Sequence, residues 1–134
     1  MNLEKTKKFL NSFKYAYQGF ISSFKTERNM KVHIAIMLLV IIAGFIFNIS
    51  KIEWIICFIL FAIVISAELF NTAIETIVDM ITKEEDKRAK LAKDIAAAAV
   101  LIPAIFSALI GFIIFLPKIF WYKEGKIMFE ESFV

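Results

Sequence analysis

Polar and apolar residues recur with a helical period over residues 3–25, and three long apolar runs then follow. In the first stretch Phe9, Leu10, Phe13, Tyr17, Phe20, Ile21 and Phe24 gather on one face, with Lys7, Asn11, Lys14, Gln18, Ser22 and Lys25 opposite. A basic face backed by an aromatic one predicts a helix lying in a membrane interface. Thr26-Glu27-Arg28-Asn29 interrupts the pattern, and the first spanning helix is predicted at about 30–48. A turn over Ile49–Glu53 leads to a second span at 54–81. The mixed-sign segment Lys83–Lys90 reads as a solvated loop or helix extension. A third span is predicted at 91–116, with Pro103 inside it and Pro117 ending it, and residues 118–134 form a frayed tail. The pattern predicts an all-α integral membrane protein: a single membrane-embedded domain over 1–134, with three transmembrane helices and an N-terminal amphipathic surface helix.

Composition agrees. Hydrophobic residues make up 60% of the chain, above the roughly 45–50% of soluble domains. The first thirty residues carry charges throughout, with no short apolar segment and cleavage site of a secretory leader. Cys57 is the single cysteine and His33 the single histidine, so neither a disulfide nor a multi-residue Cys/His metal site is expected.

The second apolar run is longer than a membrane requires. From Ile52 to Ile81 a helix would extend about 45 Å, against about 30 Å of hydrocarbon. If Trp54 marks one interface, Glu68 falls inside the hydrocarbon near the other, Glu75 at the headgroups and Asp79 just beyond. Glu68, Asn71, Glu75 and Asp79 stand at i, i+3, i+7 and i+11 and share a helix face. A carboxylate at the depth of Glu68 costs about 2–3 kcal/mol even on the lower insertion scales, which marks it as functional before structural.

Lysine and arginine set the orientation. Residues 1–31 carry seven and residues 83–93 carry five, whereas the other side has Lys51 and, in the tail, Lys118, Lys123 and Lys126. The positive-inside rule then places the N-terminus and the 82–93 loop in the cytoplasm and the C-terminal tail outside, in a multi-pass protein of the cell membrane. Small residues on the third span, Ala104/Ala108 and Ser107/Gly111, are spaced for close helix approach.

At the cytoplasmic boundary Glu27, Glu68, Glu75 and Lys93-Asp94 converge. Hard oxygen ligands at this density suit Mg²⁺, which takes one or two carboxylates and completes its shell with water and phosphate. Lys93 can neutralise a phosphate, and Glu68, deeper in the membrane, can accept a proton from a hydroxyl at the lipid surface. Phosphoryl transfer asks mainly for positioning, metal and charge neutralisation. The four glycines, Gly19, Gly44, Gly111 and Gly125, exclude a P-loop and a dinucleotide fingerprint.

The segments Glu68-Leu69-Phe70-Asn71-Thr72-Ala73-Ile74-Glu75 and Ala92-Lys93-Asp94-Ile95-Ala96-Ala97-Ala98-Ala99-Val100-Leu101 resemble the prokaryotic diacylglycerol kinase family. Phe24–Asn29, with Lys31 and His33, resembles its Gram-positive branch, typically undecaprenol kinases; the likeness covers about residues 8–115. The resemblance implies a homotrimer that transfers the γ-phosphate of Mg-ATP to a membrane lipid alcohol, undecaprenol before diacylglycerol, with no nucleic acid partner. By position it implies Glu68 as proton acceptor and lipid contact, and Glu27 and Glu75 as metal and nucleotide ligands. Lys8, Asn71, Glu84, Lys93 and Asp94 then join them around the nucleotide. Glu85-Asp86 replaces the family's usual Tyr-His, and alanine replaces a common glycine within 96–99.

Two other classes compete. A proton-coupled transporter would use Glu68 as its carrier, but the outer halves of all three spans lack ionisable groups. A purely structural or regulatory subunit would not bind Mg-ATP.

Overall fold

The structure, a computed structural model, describes residues 3–84 and 86–131, with side chains described from Glu4 to Phe120 apart from Glu85. The described residues form four helices: α1 (Leu3–Thr26), α2 (Arg28–Ile46), α3 (Lys51–Ile81) and α4 (Lys87–Glu131). The last three are long and apolar enough to cross a membrane. Their large side chains, such as Leu39, Phe45, Phe70, Phe112 and Ile113, point mostly outward. Lipid, and not a large buried core, is the solvent such a surface requires.

At one end, α2 turns into α3 through a compact double cap. Asn48 adopts a positive φ of 48°, tolerable for asparagine because its short side chain accepts left-handed backbone. The Ile49 amide bonds to the Gly44 carbonyl at 3.1 Å and the Asn48 amide to Phe45 at 3.3 Å, the paired bonds of a Schellman ending. Ser50 then opens α3. Its hydroxyl accepts from the Glu53 amide at 3.3 Å while Glu53 accepts from the Ser50 amide at 2.6 Å, so two orphan donors are satisfied reciprocally. The predicted turn Ile49–Glu53 is therefore shorter than expected, and α3 begins at Lys51. Ile49, Cys57 and Ile114 form a small core here, flanked by Phe47, Trp54, Ile110 and Phe115.

α3 packs most extensively on α4. Ion pairs clasp the two helices at both ends: Lys118 Nζ lies 3.2 Å from Glu53 Oε1, and Lys93 Nζ lies 2.5 Å from Asp79 Oδ1. α4 departs from expectation at its far end. It runs through Pro117 to Glu131, where the sequence predicted an ending and a frayed tail. A proline removes one backbone donor and crowds one carbonyl, but Lys118 is anchored by Glu53 and the following turn stays helical. Residues 132–134 of that tail lie outside the described residues. Pro103 sits inside α4 as expected, and its carbonyl accepts the Ser107 hydroxyl at 2.7 Å.

At the opposite end, Asp86 starts α4 by accepting the amides of Arg88 at 2.6 Å and Ala89 at 3.3 Å. Within the segment Lys83–Lys90, Lys83 and Glu84 thus form a bend and residues 87–90 the first turn of α4. A single non-helical residue, Glu27, separates α1 from α2.

Candidate active site

The buried stripe of α3 reads Cys57, Val64, Glu68, Asn71. It is apolar at the turn end and becomes acidic toward the α4 start, all on one face as the spacing requires. Glu68 is 1% exposed and Asn71 4%. Neither oxygen of Glu68 has a hydrogen-bond partner, nor does Asn71 Oδ1. Buried polar atoms are ordinarily paired, so three orphans in neighbouring turns mark a place built for something else. The other end of Asn71 is engaged, its Nδ2 donating to Glu75 Oε1 at 3.1 Å. That bond orients Glu75 and leaves its second oxygen available.

Glu27 arrives from the α1–α2 corner. Its amide bonds to the Ser23 carbonyl at 2.8 Å, while its carboxylate makes no capping bond to α2. The Thr26 hydroxyl stands 3.2 Å from Glu27 Oε1. The charges that act on Glu68 are those of Glu27 and Glu75, so the corner and the α3 face share one electrostatic field. A hydroxyl pair fixes the corner: Ser23 Oγ and Thr72 Oγ1 are 3.1 Å apart, and Thr72 donates to the Glu68 carbonyl at 2.9 Å. Thr72 has one proton and gives it to that carbonyl, so Ser23 is the donor between the two.

Lys93 joins the same face through Asp79, with Glu75 also acting on it. Asp94 does not: it pairs along α4 with Lys90 at 2.6 Å. Glu84 lies exposed in the bend, where its amide bonds to the Thr82 hydroxyl at 3.2 Å. Lys8 pairs with Glu4 at 3.5 Å on exposed α1, about 22 Å along the helix axis from Ser23 at 1.5 Å per residue. Within one chain, then, the structure gathers Glu27, Glu68, Asn71, Glu75 and Lys93, and leaves Lys8, Glu84 and Asp94 outside the group. A cleft of about 360 Å³ opens beside it, lined by Val78, Ile81, Thr82, Asp86, Arg88 and Ala89.

Among the described residues, no three His, Cys, Asp or Glu side chains come together as a complete metal cage. Two carboxylates with free oxygens and a neighbouring orphan amide oxygen instead fit a cation that keeps water and takes phosphate oxygens, the habit of Mg²⁺.

The model of the prokaryotic diacylglycerol kinase family matches residues 14–115, which include the Glu27 corner, the acid face and Lys93. The chain belongs to that family. Members of the prokaryotic diacylglycerol kinase family are lipid kinases, and the curated relatives carry the same reading. The chain is 46% identical to the undecaprenol kinase of Bacillus subtilis over 84% of its own length and 91% of the relative's. It is 35% identical to a diacylglycerol kinase of Synechocystis, covering 82% of this chain and 63% of that one. Against a diacylglycerol kinase of Haemophilus influenzae the identity is 36%, over 69% and 79% of the two lengths.

Sequence reasoning missed the Ser23–Thr72 pair and the partnership of Asp79 with Lys93. Thr72 stands four residues after Glu68 and so shares its arc of the helix, which was the available signal. Ser23 sits at the edge of the aromatic face of α1, and nothing in the sequence singles it out.

Proposed function

We propose that this chain phosphorylates undecaprenol to undecaprenyl phosphate at the cytoplasmic face of the cell membrane, using Mg-ATP. The observation that carries the choice of acceptor is the 46% identity to the Bacillus subtilis undecaprenol kinase across nearly all of that protein. The chemistry is supported by the buried, unpartnered Glu68 beside the Glu75–Asn71 pair.

Glu68 accepts the proton of the lipid hydroxyl as that oxygen bonds to the γ-phosphorus. The bond from phosphorus to the β,γ-bridging oxygen breaks, and ADP leaves with the electron pair. Glu27 and Glu75 are the residues that would hold Mg²⁺, which when bound offsets charge on the phosphate oxygens. Asn71 keeps Glu75 in orientation, and Lys93 offers its ammonium to the polyphosphate. The cleft at Val78, Thr82 and Ala89 lies one turn from Lys93 and Asp79 and would take the rest of the nucleotide, with Glu84, two residues on from Thr82, reaching it from the bend. Lys8, far along α1, and Asp94, turned back to Lys90, act at sites completed by a neighbouring subunit.

The assembly is a homotrimer, with α1 lying in the inner interface and the α4 end outside. The small-residue pairs Ala104/Ala108 and Ser107/Gly111 on α4 support close subunit approach. Exposed Phe9, Phe13 and Tyr17 support the interfacial position of α1.

The test is the purified protein in lipid vesicles with labelled ATP and Mg²⁺, offered undecaprenol and diacylglycerol separately. Label in undecaprenol is expected. Label only in diacylglycerol would transfer the assignment to that acceptor, and label in neither would remove the kinase reading. ATP-independent proton flux in the same vesicles would favour transport instead.

A further inference from the structure

Lys93 and Asp94 are adjacent in sequence but part in space. Asp94 is drawn back along α4 to Lys90, while Lys93 leans across to Asp79 on α3 and into the field of Glu75 one turn earlier. Asp79 is the last acid of the α3 face, and the chemistry above leaves it unused. An ammonium on a four-carbon stem is otherwise mobile. One bond to Asp79 engages one of its three N–H donors and leaves two for phosphate oxygens.

The geometry points to Asp79 as a positioning residue for the nucleotide: it fixes the Lys93 ammonium over the acid face before the polyphosphate arrives. The inference rests on the reading of Lys93 as a phosphate-binding residue. Two effects of the Asp79 charge oppose each other, repulsion of phosphate and restraint of Lys93. Asp79 is 64% exposed, so its repulsion is screened, whereas its contact with Lys93 at 2.5 Å is direct. Restraint therefore wins, and removing the charge weakens nucleotide binding.

The experiment measures phosphoryl transfer against ATP concentration, with the acceptor lipid that proves active, for Asp79→Asn, Asp79→Glu, Lys93→Met and the double variant Asp79→Asn/Lys93→Met. Asp79→Asn should raise KM for ATP about fivefold, the scale an exposed ion pair supplies, with kcat within about twofold of wild type. Asp79→Glu should restore most of the loss. Lys93→Met should raise KM by itself, and Asp79→Asn should add nothing on top of it. An unchanged KM in Asp79→Asn alongside a raised one in Lys93→Met overturns the positioning role and leaves the Lys93 reading standing; additive effects in the double variant do the same. A wild-type KM in Lys93→Met overturns the Lys93 reading itself. Asp79→Ser, also neutral, carries the same expectations if Asp79→Asn does not fold.

Discussion

Replacing Glu68 with Gln should separate catalysis from stability. The amide has nearly the shape of the carboxylate, so the packing around a side chain 1% exposed is kept. On the proposed mechanism, what disappears is the ability to take up a proton as the new phosphate ester forms. General bases contribute about 10²–10⁴ in rate, equivalent to roughly 3–5 kcal/mol of transition-state stabilisation, so kcat should fall by that factor. KM for ATP should move little, because Glu27 and Glu75 remain. Stability should move little. Both oxygens of Glu68 are buried without a partner, and an unsatisfied buried polar group costs about 1–3 kcal/mol, more when charged. The Gln amide sheds the charge but leaves its own oxygen and two N–H donors unpaired, so the two effects offset and the net change should stay within about 1 kcal/mol. The assays are steady-state transfer to the lipid and reversible unfolding in mixed micelles. Turnover within tenfold of wild type would show that Glu68 is not the base. A loss well beyond about 3 kcal/mol would show that the assembled protein supplies its carboxylate with a partner.

Glu75→Gln should raise the Mg²⁺ concentration for half-maximal activity by about tenfold or more, since even residues one step removed from a metal change affinity about 10- to 100-fold. Glu68→Gln in the same titration should leave the requirement unchanged. Gly44→Ala should destabilise, because the new Cβ would lie 2.6 Å from Trp54 Cη2, on a ring already flanked by Phe45 and Phe58. Overpacking costs about 1–3 kcal/mol and outweighs the roughly 1 kcal/mol gained by replacing a helical glycine. Chemical denaturation checks it, and Trp54→Phe should cancel the effect if the clash is the cause. Asp86 should make the start of α4 sensitive to acid. The Arg88 and Ala89 amides hold its carboxyl below the usual carboxylate range, so its stabilising bonds persist above the unfolded value and are lost as pH falls through the folded one. Amide exchange at Arg88 and Ala89, corrected for intrinsic rates, should stay slow until below about pH 4; loss of protection at pH 6 would contradict the cap.

The spans and the acid face were legible because both are local properties. Twenty apolar residues declare a membrane helix wherever it packs, and Glu68, Asn71 and Glu75 share a face by spacing alone. Boundaries were less legible. Ser50-Lys51-Ile52-Glu53 carries a capping signature hidden inside what reads as a turn, and Pro117 reads as a stop although one missing donor does not end a helix. Contacts between helices were not legible. Asp79 meets Lys93, and Ser23 meets Thr72, only once the register of α3 against α4 and α1 is set, and no single segment encodes that register. The acceptor lipid lies further out of reach, because a long hydrocarbon chain is held by apolar surface without a distinguishing polar group.

The joint between α1 and α2 is one residue long, and that residue is Glu27. Hinge and carboxylate therefore coincide. A change in the angle between the first helix and the second would turn the backbone torsions of Glu27 and its side chain with them, against the restraint of the Ser23–Thr72 contact and of the Lys31 ammonium on the Lys25 carbonyl. The angle at which the N-terminal arm rests is in this way a setting on where one of the site's acids points.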